Sequence, residues 1–263
     1  MQPLSLDLAW LLLFCSAPVF AAPLNQNRLK TCELYHTSQP LDCKDVYESG
    51  MTSDGVYLIF PKGCFSIPVP VYCDMTTPKG PWTVFQKRFD GSENFFRGWE
   101  DYKAGFGHAD KEYWLGLENI YHLTLRRSYR LRIDMADFDN DARFVIYNKF
   151  ALSPLAISAE EDNYKLYIDG FEEGDPSRPA GNSLWNQKDM NFSTHDRDRD
   201  RHTENCASMF KAGSWYNACH STNLNGLYLG GLNEQYAIGM TWSSWRGQKY
   251  SLKSTQMKIA ANG

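Results

Sequence analysis

The sequence lacks the short motifs by which many enzymes are recognised. It contains no Gly-x-Ser-x-Gly elbow, no His-Glu-x-x-His pair and no glycine-rich phosphate loop. Cys-x-x-Cys spacing is also missing, which argues against a zinc knuckle and a thiol redox motif. Ser, His and Asp residues are present, but no spacing groups them into a triad. These absences predict a binding protein and not an enzyme.

Excess positive charge and long apolar runs are missing as well. The chain has 27 Lys and Arg against 31 Asp and Glu, so it offers no basic surface of the kind that binds nucleic acid. Beyond the N-terminus, no uncharged apolar segment approaches the length of a membrane-spanning helix. Internal repeats, heptads and low-complexity tracts are absent too. We therefore expect neither a nucleic-acid partner nor insertion into a membrane.

The N-terminus predicts secretion. The apolar run 8–14 is followed by small residues, which is typical of a signal peptide over residues 1–21, and residues 22–38 form a short polar segment after it. Cleavage after Ala21 would remove Cys15 and leave an even set of cysteines, which indicates disulfides in a secreted protein. Four of these precede residue 75 and two close a late loop. The two groups are therefore expected to form separate staples, with the pairing inside the first group left open.

Alternating apolar residues predict short strands at 56–60, 69–72, 82–86, 129–133 and 143–147. Helices are expected at 41–49, 99–104 and 116–124. The stretch from about 170 to 245 is poor in aliphatic residues and rich in Gly, Asn, Ser and charge. We expect it to contribute little core and to form the working surface. Within it, the sequon Asn191-Phe192-Ser193 predicts a glycan at Asn191 on an exposed loop.

A charged run, HDRDRDRHTENC at 195–206, lies in this stretch. In an extended loop the alternation would place Asp196, Asp198 and Asp200 on one side and the arginines on the other. Three carboxylates repel one another unless a cation lies among them, and ligands that are all oxygen favour calcium. The run is no EF-hand, because Arg201 and Ala207 stand where that loop needs Gly and Glu. The pattern alone leaves a plain solvated charge run as the alternative.

Several separated motifs, in order along the sequence, resemble those of one family. They are DGVYLI at 54–59, VYCDM at 71–75, WTVFQKR at 82–88, FFRGW at 95–99, YWLGL at 113–117, NLNG at 223–226 and YSLK at 250–253. Residues 39–262 thus resemble a fibrinogen C-terminal-related domain, the family of the ficolin-like lectins. The resemblance implies an α+β fold. Its expected parts are a small disulfide-stapled N-terminal part, a central twisted antiparallel sheet with short helices, and a loop-rich part that binds calcium and ligand.

The resemblance also implies that the charged run is a calcium-binding loop. In the family pattern, the acids eight and six residues before the loop cysteine chelate Ca²⁺, and these positions are Asp198 and Asp200. Backbone carbonyls at His202 and Glu204 are implied as the remaining protein ligands. Two carboxylates with carbonyls make a site of low charge, as in extracellular calcium modules.

A ligand pocket is implied beside the late disulfide. Related lectins hold acetyl groups there, next to a cis peptide that would be Ala218–Cys219 in this protein. The implied pocket is formed by Phe210, Cys219, His220, Tyr236 and Ala237. Each has a structural alternative, since His220 could be a hydrogen-bonded loop histidine, and Tyr236 and Trp242 plain core. Gln248 stands where some relatives have tryptophan, so the ligand preference is expected to differ or the pocket to be weaker.

Three disulfides follow from the resemblance. Cys43–Cys73 and Cys206–Cys219 belong to the family pattern. Cys32 and Cys64 are expected to pair within one chain, as in ficolin-like relatives, although an N-terminal cysteine can also join two chains. With that internal bond, higher homo-oligomers would depend on non-covalent contacts and would give weak pockets avidity.

Two functions are compatible with these features. The first is a secreted, calcium-dependent recognition protein that binds acetylated glycans on microbial surfaces in innate defence. The second is an extracellular-matrix glycoprotein that binds elastic-fibre components without sugar recognition. The sequence has no Arg-Gly-Asp triplet, so an integrin contact of that kind is not expected.

Overall fold

A computed structural model describes residues 39–63 and 66–262 of the protein. Its strands in this part are β1 (Gly55–Ile59), β2 (Val69–Asp74), β3 (Trp82–Arg88), β4 (Phe106–Gly107), β5 (Tyr113–Trp114), β6 (Tyr129–Ala136), β7 (Ala142–Leu152), β8 (Leu166–Glu173), β9 (Gly231–Leu232), β10 (Tyr250–Ser251) and β11 (Ser254–Ala261). The helices are α1 (Cys43–Glu48), α2 (Trp99–Ala104), α3 (Leu117–Arg126), α4 (Cys206–Phe210) and α5 (Ser243–Arg246), with a 3₁₀ turn at Ser183–Gln187.

One antiparallel sheet organises the fold. Its main path runs β1-β2-β3-β11-β6-β7-β8, with β5 beside β3 and β4 beside β5. The last strand, β11, therefore lies between β3 and β6 and closes the domain in the middle of the sheet. The burial along β6 alternates residue by residue, as expected for a strand with one face on the core. The predicted fold class is confirmed.

The predicted strands and helices all appear, with shifted ends. Among the long strands, the sequence analysis missed β8 and β11; it also missed the strands of two residues and the short helices α4 and α5. In β11 the reason is Lys258, a residue that normally marks a surface but is 2% exposed here. Its ammonium group lies 2.6 Å from the Asp74 carboxylate and 2.5 Å from that of Asp134, so ion pairing permits the burial. In β8, Gly170 has a φ of 65°, which interrupts the regular pattern.

Asp42 caps the N-terminus of helix α1, and its carboxylate accepts hydrogen bonds from the N–H groups of Lys44 and Asp45. The same carboxylate accepts from Arg127 at 3.1 Å and also contacts the hydroxyl of Tyr129. Because these partners lie at the end of α3 and in β6, one buried acid joins the N-terminal part to the sheet.

The region 170–245 contributes more core than its aliphatic content predicted, so that expectation is wrong. Aromatic side chains supply the apolar surface instead. Phe192 and Trp215 are buried, with ring centroids 5.1 Å apart, and Phe192 lies 6.0 Å from Trp114 of β5. Trp242 is fully buried as well, which confirms the plain-core alternative for that residue. Large aromatic rings can fill a core where aliphatic residues are few.

Two of the expected disulfides are confirmed. Cys43 and Cys73 are bonded with a Cα–Cα distance of 5.5 Å, and Cys206 and Cys219 with 5.7 Å. The Cys32–Cys64 pairing, the signal peptide at 1–21 and the segment 22–38 lie outside the described residues. In the part of the sequence that is described, no helix is long and apolar enough to cross a membrane.

Candidate functional site

The acids of the charged run do not share one side. The Asp196 carboxylate accepts hydrogen bonds from the N–H of Trp99 at 2.9 Å and from the hydroxyl of Thr194 at 2.6 Å, so it caps α2. Partial burial opposes ionisation, but these hydrogen bonds hold the pKa of Asp196 below its usual value. The expectation of three aligned acids is wrong because Thr194 and Arg197 exchange backbone hydrogen bonds, which turns the backbone there.

The arginines of the run point toward another segment. Arg197 donates to the Glu160 carboxylate at 2.6 Å, and its guanidinium lies 3.9 Å from the ring centroid of Trp99. Arg199 donates to the Asn163 side chain at 3.1 Å. Neither arginine pairs with its neighbouring aspartates. These contacts attach the run to the loop that precedes β8.

Asp198 and Asp200 remain together at the outer part of the loop. The N–H of Asp200 donates to the Asp198 carboxylate at 3.2 Å. The Asp200 carboxylate accepts from the N–H of His202 and the N–H of Cys206, both at 2.8 Å. Among the described residues, no Lys or Arg forms an ion pair with either acid. Partial burial raises the pKa of Asp200, and the negative charge of Asp198 raises it further. The two hydrogen bonds lower it, but by less.

This arrangement fits a hard cation. Two close carboxylates without a positive partner repel each other, and a divalent ion between them would remove that repulsion. His202 and Glu204 are exposed and follow directly, and Glu204 N–H donates to the His202 ring at 3.0 Å. Side chains of His202, Cys206 and Cys219 also converge. Because the two sulfurs are joined in a disulfide, that cluster does not form a thiolate site.

Three of the predicted pocket residues come together beside the disulfide. The rings of Phe210 and His220 meet edge to face, with centroids 4.5 Å apart. The side-chain amide of Asn223 donates to the carbonyls of Phe210 at 3.0 Å and Ala237 at 3.3 Å. Gln248 donates to the His220 carbonyl at 3.2 Å and accepts from the Ala237 N–H at its own carbonyl at 2.8 Å. The sequence analysis missed Asn223, a buried residue within the NLNG motif that holds two walls of this site.

His220 is held without ordinary hydrogen bonds to its ring. Both ring nitrogens are buried and have no partner in the described residues, and the Gln248 side-chain oxygen is buried without one as well. Burial lowers the pKa of His220 to about 4, and the backbone of Ala237 opposes the shift only in part. The ring is therefore neutral at physiological pH.

The remaining predicted positions surround this group. Tyr236 is 62% exposed, so it lies at the edge of the site and is not plain core. The next residue, Ala237, is buried with a φ of 63°. The Cys219 carbonyl accepts from the Asn217 N–H at 2.7 Å, and the peptide bond from Ala218 to Cys219 is cis, as the resemblance implied.

The glycosylation sequon is less exposed than expected. Asn191 is half-buried between buried Met190 and Phe192, and the hydroxyl of Ser193 accepts from the Arg199 N–H at 2.9 Å. The expectation of an exposed loop is wrong there, because Phe192 is drawn into the aromatic core. The glycan at Asn191 stays a prediction.

Comparison with known proteins agrees with this architecture. Residues 39–262 match the family model of the fibrinogen beta and gamma chains, C-terminal globular domain. Human microfibril-associated glycoprotein 4 is 53% identical over 249 residues, which is 95% of this chain and 96% of the relative. Fibrinogen C domain-containing protein 1 of Xenopus tropicalis is 46% identical over 90% of this chain, and the match spans 50% of that longer relative.

A solved structure supports the same fold. The fibrinogen-like globe domain of human ANGPTL2 superposes with a TM-score of 0.79 at 42% sequence identity. The match covers 85% of this chain and all of that domain.

Proposed function

The protein belongs to the family of the C-terminal globular domain of the fibrinogen beta and gamma chains, and we propose that it is a secreted recognition protein that binds acetyl-bearing ligands with the help of calcium. It acts by binding and not by catalysis. Its place is the extracellular space or matrix, in line with the signal peptide expected at 1–21. The class of ligand that fits this chemistry is the acetylated glycans of microbial surfaces, and the protein would act in innate defence.

One observation carries the proposal: a hydrogen bond followed by a disulfide makes a short path from the paired acids to the unpartnered histidine. Asp200 accepts the N–H of Cys206, Cys206 is bonded to Cys219, and His220 follows Cys219. Whatever fixes Asp200 therefore also fixes the segment that carries His220. A calcium ion would be held by the Asp198 and Asp200 carboxylates and by the carbonyls of His202 and Glu204. When bound, it supplies positive charge that neutralises the two acids and restrains their loop.

The site beside the disulfide suits an acetyl group. Phe210 is partly exposed and offers apolar surface to a methyl group, and Tyr236 is exposed at the edge of the site. The neutral His220 ring has one donor and one acceptor free for a polar ligand atom. Backbone N–H groups near Cys219 and His220 would meet the acetyl oxygen. A single shallow site of this kind binds weakly, so several copies in one assembly would be needed for firm attachment.

Retention on an acetylated resin tests the ligand. Wild type should be retained with calcium and eluted by a free N-acetylated sugar or by chelator. His220→Ala and Tyr236→Ala should be retained at least about tenfold more weakly, because each removes part of the site. Tyr47→Ala in α1 and the exposed His108→Ala are matched controls, since both lie outside the site. Retention that ignores both eluents would mean that the surface recognises something other than acetyl groups.

Titration calorimetry tests the ion separately. Asp198→Ala and Asp200→Ala should each abolish measurable calcium binding, because each removes one of two carboxylate ligands. Glu204→Gln is the matched control, since only the backbone carbonyl of that residue would be used. Undiminished affinity in either aspartate variant would overturn the assignment without touching the acetyl site.

A matrix role is the second candidate function. Its support is the 53% identical human relative, whose name associates it with microfibrils. On this account the protein would bind elastic-fibre components through an exposed surface, with no need for sugar. Calcium-dependent binding to purified matrix protein that free N-acetylated sugar does not reduce would support it. The His220→Ala variant separates the two functions, because it should leave a matrix contact unchanged.

A further inference from the structure

The loop between β7 and β8 carries an apolar surface, and its residues are distant in the sequence from those of the proposed site. Leu155 is 98% exposed and Ile157 104%, while Leu125 at the end of α3 is 55% exposed. We call these residues, with Pro154 and Tyr167, the Leu155 surface. Two aliphatic side chains held fully in water have no role in the core, and such clusters on a folded domain mark contact surfaces.

Recesses flank the projecting residues. One cavity of about 400 Å³ is lined by Leu125, Phe150 and Ala151, and another of about 260 Å³ by Leu155 and Leu166. Pro154 and Tyr167 line both, so the two recesses are adjacent. The Leu155 surface therefore carries projecting apolar side chains and apolar hollows side by side.

Charge is divided between the two recesses. The first is bordered by the cations Arg126, Arg127 and Lys149. The second is bordered by Asp162, Asp189 and Lys165, of which Lys165 and Asp162 pair with each other at 3.0 Å. Arg127 is already paired with Asp42, and Lys149 lies 3.9 Å from the Asp169 carboxylate, so Arg126 is the cation of this recess, among the described residues, that is left to face a partner. One end of the surface is basic, and the other carries the exposed Asp189.

We propose that the Leu155 surface is the contact between two copies of this protein, related by a two-fold axis that passes near Pro154 and Tyr167. A rotation about that axis places the basic end of each copy on the acidic end of the other. It also directs Leu155 of each copy toward the apolar hollow of its partner. A second copy is the occupant that the surface fits, because both complementary halves are present on the same face. The contact does not depend on the proposed acetyl site, but it would bring two such sites into one particle.

Sedimentation equilibrium of the secreted, full-length mature protein measures the contact. The variant Leu155→Asn with Ile157→Asn should raise the dissociation constant of self-association at least about tenfold, because it withdraws the apolar anchors. Leu232→Asn is the matched control, since Leu232 is 80% exposed on β9 of the loop-rich part and should leave association unchanged. Arg126→Gln and Asp189→Asn should each weaken association. Combined, they should weaken it by less than the product of the two effects, because they face each other across the axis.

Cross-linking identifies the occupant. The Leu155→Cys variant treated with a short bis-maleimide should yield dimers linked through residue 155, and the Leu232→Cys variant should not. Failure of the residue-155 dimer, or association unchanged in the double Asn variant, would overturn the proposal. A third outcome would also overturn it: the thiol introduced at residue 155 does not react in the full-length protein but reacts once residues 22–38 are deleted. That result would mean that the protein's own N-terminal segment covers the surface. Circular dichroism of each variant shows whether a loss of association comes from unfolding.

Discussion

The sheet and the loop-rich part of this molecule are stabilised in different ways. Strands β1 to β8 and β11 carry most of the buried apolar side chains of the sheet, and main-chain ladders satisfy their polar groups. Between β8 and β11, the strands β9 and β10 are only two residues long. Buried side-chain amides replace the ladders there, as in Asn223, Asn225 and Gln187. The loop-rich part is thus specified by particular polar contacts, which makes it the part where sequence changes can alter recognition while the sheet stays the same.

The two parts are nevertheless one packed body. The Gln86 side chain of β3 donates to the Leu224 carbonyl at 3.0 Å, and Arg88 donates to the Gly226 carbonyl at 2.9 Å. Both side chains are buried, so these bonds cannot exchange freely with water. A ligand that binds to the loops therefore binds to a part of the molecule that is held rigidly by the sheet.

The largest effect should come from the sheet core. Leu131→Ala in β6 removes a fully buried side chain and should lower the free energy of unfolding by about 2–5 kcal/mol. Leu232→Ala, at an exposed position of β9, should change it by less than about 0.5 kcal/mol. Urea unfolding measures both, with and without calcium. A Leu131→Ala loss that calcium restores would contradict the independence of the sheet from the ion.

The next effect tests the loop-rich part through pH. In the folded protein the pKa of His220 is lowered to about 4, below the value of about 6.5 for an exposed histidine. Between these values the unfolded protein binds a proton that the folded protein does not, so stability is full above pH 6.5 and falls as pH drops toward 4. At about 1.4 kcal/mol per pKa unit, the loss amounts to roughly 3 kcal/mol.

The variant His220→Asn isolates that effect from other titrations. The ring of Tyr216 is the titratable group in contact with His220, and burial holds its pKa far above this window. Stability of His220→Asn should therefore depend less on pH between 4 and 6.5 than that of wild type or of the exposed control His108→Asn. Equal slopes for all three proteins would mean that His220 is not buried in its neutral form.

A smaller effect should follow from calcium. An ion present at ten times its dissociation constant stabilises the folded state by roughly 1.4 kcal/mol, and chelator should remove that amount. Hydrogen exchange should localise the change to the N–H groups of His202 and Cys206 and leave β6 unaffected. Asp200→Ala should abolish the difference, and Glu204→Gln should retain it. Faster exchange throughout the sheet on chelation would erase the distinction between the two parts.

Sequence alone indicated the sheet better than the loops, for a physical reason. Strand signals are local, so the pattern around 129–133 was enough to indicate β6. The buried lysine of β11 was missed because its burial depends on Asp74 and Asp134, which are distant in the sequence. The position of Asp196 depends on a local turn between Thr194 and Arg197 and also on Trp99, which lies 97 residues away and could not be identified as its partner from the sequence. The pocket residues were recoverable only through family resemblance, because no local pattern marks Phe210, His220 and Ala237 as neighbours.

The last comparison separates two of the three arginines of the charged run, Arg197 and Arg199. Arg199 makes one exposed hydrogen bond, so Arg199→Ala should change stability by less than about 0.5 kcal/mol and leave calcium affinity unchanged. Arg197 pairs with half-buried Glu160 and covers the ring of Trp99, so Arg197→Ala should cost about 1–2 kcal/mol. Lys103 lies 2.9 Å from Glu160 and limits the loss, because it keeps that carboxylate paired. Urea unfolding and calcium calorimetry on both variants measure the contrast. Equal stability losses would mean that the run is a solvated segment, whose side chains do not attach it to the rest of the fold.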